Sequence, residues 1–83
     1  MLMEITGHIE VSSNGHCSIY TDAMIGNTAL FGYGDSIEEA KADLWAVIYE
    51  CREEICIKKG YLPKELEQIN ITFVVETDYY KKK

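Results

Sequence analysis

Four acidic residues lie close together in the sequence, at Asp35, Glu38, Glu39 and Asp43. Carboxylates that converge from a strand and a helix could hold the cations of a metal-dependent nuclease. Glu38 and Glu39 are adjacent on a predicted helix and therefore point in different directions, and Glu39 is needed to cap that helix. We expect a solvated helix start without a bound metal, and we reject nuclease activity.

The histidines and cysteines are the other candidates for chemistry. His8 and His16 could act as a general base or a metal ligand, as imidazole side chains often do, but the pattern pairs neither of them with a Ser or Cys nucleophile. The cysteines, Cys17, Cys51 and Cys56, are odd in number and lack C-x-x-C spacing, which disfavours a disulfide framework and a zinc site. We interpret them as small apolar residues of a protein in a reducing cytoplasm. The sequence thus predicts no enzyme, no metal and no cofactor.

Length and composition favour one small folded domain. The chain has 83 residues, of which 47% are hydrophobic and 27% are charged. This composition excludes collagen-like and intrinsically disordered proteins. The N-terminus lacks a basic region followed by an apolar run, and no apolar stretch of about 18 residues occurs, so we expect a cytoplasmic protein without a membrane span.

The net charge of −6 is distributed unevenly. Residues 1–55 hold ten acids and two bases, a net charge of −8, whereas residues 56–83 have a net charge of +2. Nucleic-acid binding requires a basic surface, which the first two-thirds of the chain lack. An acidic body suits a basic protein partner instead. We place a single domain at residues 1–80 and a basic tail at Lys81–Lys83.

Hydrophobic periodicity predicts four strands and one long helix. The predicted strands are Met1–Val11, His16–Thr21, Asn27–Gly34 and Ile69–Glu76. Asn14-Gly15 favours a tight turn after the first strand, and Asp22–Gly26 is interpreted as a connection after the second. Lys64–Gln68 is interpreted as a short helical turn.

The long helix is predicted to start at Ser36 and to end at Lys58-Lys59-Gly60. Ser36 and Glu39 have the spacing of a capping box, in which Glu39 accepts from the Ser36 amide. The order β-β-β-α-β predicts an α+β fold in which the helix covers one face of a four-stranded sheet. We expect the spatial strand order 3-2-1-4.

Four apolar residues are candidates for a partner or dimer interface. Leu30 and Val74 interrupt the polar sides of their predicted strands, on the face that the single helix leaves uncovered. Trp45 and Tyr49 lie four residues apart beside the apolar stripe of the helix, and both residue types are enriched in interfaces. Boundary packing against the sheet explains Trp45 and Tyr49 equally well. An exposed edge strand is a further place where a second chain could pair.

Residues Gly34-Asp35-Ser36-Ile37-Glu38-Glu39-Ala40 match the pattern G-x-[ST]-x-E-E-A. This segment resembles the junction of third strand and helix in HicB-like antitoxins of bacterial toxin–antitoxin systems. The opening strand, the turn at Gly15 and the closing strand also follow the order of that family. The resemblance covers about residues 2–80.

The resemblance implies a truncated RNase H-like fold that binds and neutralises a small basic HicA-like toxin, which cleaves messenger RNA. The resemblance covers only the N-terminal domain of that family and not the C-terminal DNA-binding domain that many relatives have. We therefore expect no direct DNA binding by this chain. We also expect a homo-oligomer, in the simplest case a dimer. The alternative is a self-associating structural or regulatory module of the same fold that has no toxin partner and associates through the uncovered sheet face.

Overall fold

A computed structural model describes residues 2–76 of the chain. Its elements are β1 (Leu2–Val11), β2 (Cys17–Ile25), β3 (Thr28–Gly34), α1 (Ile37–Lys59), a 3-10 turn (Lys64–Leu66) and β4 (Gln68–Val75). The predicted α+β class and the order β-β-β-α-β are confirmed. The predicted tail at Lys81–Lys83 lies outside the described residues. Within residues 2–76, no helix has both the length and the apolar character that crossing a membrane requires.

The four strands form one mixed sheet in the order β3-β2-β1-β4. β2 is antiparallel to both β1 and β3, whereas β4 is parallel to β1. A parallel neighbour needs a long crossover, and α1 provides it between β3 and β4. The predicted spatial order is therefore confirmed.

The core lies between the sheet and α1. Alternate residues of the strands face the helix, and the buried helix residues recur every three or four positions, as one face of an α-helix requires. The buried apolar residues are Ile5, Ile9, Cys17, Ile19, Ile25, Leu30, Ala40, Leu44, Ile48, Cys51 and Leu66.

Strand β2 is longer than its alternation predicts, because a bulge interrupts the pattern between Tyr20 and Met24. The buried Thr21 hydroxyl accepts from the Ala23 N–H at 3.2 Å and donates to the Leu30 carbonyl at 3.1 Å, which satisfies backbone groups that the bulge displaces. The strand then continues to Ile25. The interpretation of Asp22–Gly26 as a connection is wrong, since the actual turn is only Gly26 and Asn27.

The two faces of β3 are the reverse of those predicted. Leu30 is 0% exposed and belongs to the core, whereas Phe31 and Tyr33 lie on the uncovered face. The reason is the close approach of α1: a Cβ added at Gly32 would lie 2.4 Å from the Ala40 carbonyl oxygen. Only the face that carries glycine admits the helix, so the aromatic side chains point away. The placement of Leu30 on the uncovered face is therefore wrong.

The helix ends are capped much as predicted. Ser36 is the N-cap, and its hydroxyl accepts from the Glu39 N–H at 3.1 Å. The Glu39 carboxylate accepts from the Asp35 N–H at 3.0 Å, one residue before the predicted Ser36 donor. Gly60 closes the C-terminus with φ of 82°, and its N–H donates to the Cys56 carbonyl.

The Ser36→Ala variant is expected to lower the free energy of unfolding by about 1 kcal/mol, because the Glu39 N–H loses its acceptor. Urea denaturation monitored by circular dichroism measures this loss. Ser13→Ala, in the exposed turn after β1, is the control and should change stability by less than about 0.5 kcal/mol. Equal stability of the two variants would contradict the capping role of Ser36.

Candidate functional site

The segment that carries the family resemblance joins the sheet to the helix. Gly34 lets the helix approach, because a Cβ there would lie 2.6 Å from the Glu39 Cβ. Ala40 is buried against β3, and Ser36 and Glu39 cap the helix start. Asp35 is exposed and pairs with His16 at 2.8 Å, while Glu38 is exposed in the first helical turn. Most of the segment therefore serves packing and capping.

Three of the four clustered carboxylates, those of Asp35, Glu39 and Asp43, have partners in different places. Asp43 accepts from the backbone N–H of Tyr33 at 2.9 Å and so ties α1 to the edge strand β3. Among residues 2–76, no three His, Cys, Asp or Glu side chains are placed to hold a metal ion.

The face of the sheet opposite α1, here called the open face, carries a row of aromatic and apolar side chains across all four strands. Phe31 of β3 pairs with Tyr20 of β2, Tyr20 with His8 of β1, and His8 with Val74 of β4. The His8 and Tyr20 rings stack with centroids 4.9 Å apart. Tyr33, which is 62% exposed, lies next to this row on β3. Of these residues, only Val74 was predicted from the sequence as an interface candidate.

Carboxylate side chains surround the row, and the strands carry no Lys or Arg side chain. The Glu76 carboxylate accepts a hydrogen bond from His8 Nδ1 at 3.0 Å, and Glu10 and Asp22 are exposed on β1 and β2. The sequences of β1 to β4 contain no Lys and no Arg. The open face therefore combines aromatic surface with carboxylates that no Lys or Arg of the strands neutralises.

The half-buried Tyr20 reports this negative charge. Desolvation raises the pKa of its phenol above the ordinary value of 10.0, and the nearby carboxylates of Glu10, Glu76 and Asp22 raise the pKa further. Both effects disfavour the phenolate. Because the raised pKa belongs to the folded state, Tyr20 contributes stability below about pH 10 that is lost as the pH rises through the folded-state pKa.

Neutralising the carboxylates in the double variant Glu10→Gln/Glu76→Gln is expected to lower the pKa of Tyr20 towards its ordinary value, since two sources of repulsion are removed. Phenolate absorbance during alkaline titration measures the pKa, with the Tyr20→Phe chain subtracted to remove the other tyrosines. Glu53→Gln, on the exposed side of α1, is the matched control and should leave the titration unchanged. An unchanged titration in the double variant would show that these carboxylates do not act on Tyr20.

A groove borders the open face at the end where β1 finishes and β2 begins. The residues that line it include Glu10, His16, Cys17, Tyr33 and Asp35. Glu10 and Tyr33 also belong to the open face, so the groove extends the same acidic and aromatic surface towards the helix start.

Trp45 and Tyr49 lie on the flank of α1, on the other side of the sheet. Their rings stack with centroids 5.7 Å apart, and the Arg52 guanidinium lies 5.9 Å from the centre of the Tyr49 ring. Trp45 is half-buried and Tyr49 is 58% exposed. The predicted interface residues are thus not brought together, because Val74 lies on the open face, Leu30 in the core, and Trp45 and Tyr49 on the helix.

The fold and this surface define a small α+β domain with a four-stranded mixed sheet and one helix. Comparison of the chain with protein-family models, curated proteins and solved structures gave no match.

Proposed function

We propose that this chain is a HicB-like antitoxin-type domain of the truncated RNase H-like fold. In this proposal it binds and neutralises a small basic mRNA-cleaving toxin in the cytoplasm, by protein–protein contact and without catalysis. The sequence of the segment Gly34–Ala40 supports it, and so does the position of that segment between β3 and α1.

The observation that carries the proposal is the open face. Its aromatic row offers apolar area for a partner, and strands without any Lys or Arg place only negative charge around that row. Guanidinium and ammonium groups bind both to carboxylates and to the faces of aromatic rings. The open face is thus complementary to a basic protein surface.

The proposed neutralisation follows from the charges of the toxin. A protein that binds messenger RNA needs exposed Lys and Arg side chains for the phosphates. When the open face covers the toxin, these Lys and Arg groups pair with the carboxylates of Glu10, Asp22 and Glu76. Tyr20 and Phe31 pack against the apolar parts of the same Lys and Arg side chains. RNA is then excluded by occupation of its binding surface.

The test is to co-express the chain with the small basic protein encoded by the adjacent reading frame and to measure the purified complex by light scattering. We expect a stable complex and suppressed cleavage of RNA by the basic protein. The charge-reversal variant Glu10→Lys/Glu76→Lys should weaken the complex at least about tenfold, since attraction becomes repulsion across the interface.

The matched control is Glu53→Lys/Glu54→Lys, which makes the same change of charge on the exposed side of α1. This variant should keep nearly full affinity. Equal weakening by both variants would show that only net charge matters and would exclude the open face as the specific interface. Absence of a complex with the wild-type chain would contradict the antitoxin proposal itself.

A further inference from the structure

The two edges of the sheet differ in how well they are protected. At β3, the Tyr33 N–H donates to Asp43 of the helix, and α1 packs directly against Gly32. Covering an edge strand with a helix is a common way of preventing a further strand from pairing with it.

Strand β4 lacks these protective features. Its eight residues, QINITFVV, include no charged residue and no proline, and none of its side chains is fully buried. Ile69, Ile71 and Phe73 are half-buried on the helix side, while Val74 and Val75 are 42% and 44% exposed. An uncharged and partly exposed edge of this kind is a ready template for another strand.

The backbone of β4 shows which groups are free. The Glu76 N–H donates to the Ile9 carbonyl at 2.8 Å. In a parallel pair, alternate residues direct both backbone groups to the neighbouring strand, so the even-numbered residues of β4 bond to β1. The odd-numbered residues direct their N–H and C=O groups outward: Ile69, Ile71, Phe73 and Val75. Within residues 2–76, no other strand pairs with them.

We propose that a second copy of this chain pairs antiparallel with β4, which joins two four-stranded sheets across a two-fold axis at Thr72. This register places Ile71 of one copy opposite Phe73 of the other, and Ile69 opposite Val75. All four residues then use their outward backbone groups in hydrogen-bonded pairs. Their side chains form apolar cross-strand pairs on the helix side, and such pairs stabilise sheets.

Charge favours a second copy over a basic partner as the occupant of this edge. The chain has a net charge of −6, so two copies repel each other over most of their surfaces. Gln68–Val75 contains no charged residue, and identical strands meet there without direct repulsion. A basic partner finds no carboxylate on β4 and is attracted to the open face instead. This inference does not depend on the proposed antitoxin function.

A pair of threonines provides the test. Thr72 and Thr6 are exposed, lie on the same face and pair with each other in the sheet, but Thr72 is on the edge strand and Thr6 is one strand further inside. At the two-fold axis the Thr72 residues form a non-hydrogen-bonded pair, whose Cβ atoms lie about 4.5–5.5 Å apart. This distance is close enough for a disulfide after a small adjustment.

The experiment uses the full chain with Cys56→Ser, which removes the exposed native thiol. Mild oxidation should convert most of the Thr72→Cys variant into a covalent dimer on a denaturing gel. The Thr6→Cys variant should stay monomeric on the same gel. Equal cross-linking of both variants, or none with Thr72→Cys, would overturn the β4 pairing.

A second measurement requires no oxidation. Thr72→Lys places two ammonium groups at the axis and should shift the chain from dimer to monomer in light scattering, whereas Thr6→Lys should leave the dimer intact. A wild-type chain that is monomeric at all concentrations would also overturn the inference. The Glu10→Lys/Glu76→Lys variant should still dimerise, so failure of toxin binding and failure of dimerisation are distinguishable.

Discussion

Replacement of Leu30 by Asp is expected to unfold the domain. Leu30 is fully buried beneath α1, so the variant loses its apolar contacts and places a carboxylate in the core without a partner. An uncompensated buried charge alone costs about 3–5 kcal/mol. That cost approaches the whole stability of a small domain, which is about 5–15 kcal/mol. Circular dichroism and thermal unfolding should show loss of the cooperative transition.

Val74→Asp is the matched control, because sequence analysis alone placed Val74 and Leu30 on the same face. Val74 lies on the open face and is 42% exposed, so its carboxylate stays in contact with water. We expect a folded domain with a loss of at most about 1 kcal/mol. A folded Leu30→Asp variant would contradict the assignment of Leu30 to the core.

Replacement of Gly32 by Ala is expected to cost about 3 kcal/mol or more, the upper range for overpacked cores. The new methyl group would lie 2.4 Å from the Ala40 carbonyl oxygen and 2.8 Å from the Leu44 amide nitrogen. Both are backbone atoms of α1, so the helix has to move away from β3. Urea denaturation measures the loss in the free energy of unfolding.

Gly7→Ala is the control for this variant, since Gly7 is also a buried glycine of the sheet. A Cβ at Gly7 meets only side chains, with Phe73 at 3.1 Å and Ile19 at 3.2 Å. These side chains can shift by a few tenths of an ångström, so the cost should be clearly smaller than at Gly32. A larger loss for Gly7→Ala would show that the helix yields more easily than the Phe73 ring.

The element order and the strand order followed from the sequence because the signals there are local. The alternation of β1, the Ser36 cap and the terminal Gly60 each depend on a few neighbouring residues. The helical crossover is long enough for β4 to pair in parallel, and its predicted place beside β1 is confirmed by the structure, although the crossover length alone does not select β1. No comparison with known proteins supports the finer assignment to an RNase H-like fold, and it remains part of the proposal.

The faces of β3 could not be predicted in the same way. Hydrophobicity favours Phe31 and Tyr33 for the core, but the distance between helix and strand is a tertiary property. Gly32 and Gly34 alternate with the two aromatic residues, and this alternation was the available signal. The bulge at Thr21 hid the second half of β2 in a similar way, because it shifts the pairing partners beyond Tyr20. The first error concealed Phe31 and Tyr33, the part of the open face that β3 carries.

The shallow burial of β4 has a consequence for the folding of the protein. Regions with few buried apolar contacts open first, and amide hydrogen exchange detects this opening. In the proposed dimer, pairing with a second copy covers β4 only in the folded state, so mass action would couple the unfolding equilibrium to the concentration of the chain. The melting temperature should therefore rise with concentration, and dilute protein should be the first to lose β4. If the proposed dimer forms, the amount of protein in the cell sets the fraction of molecules that is folded.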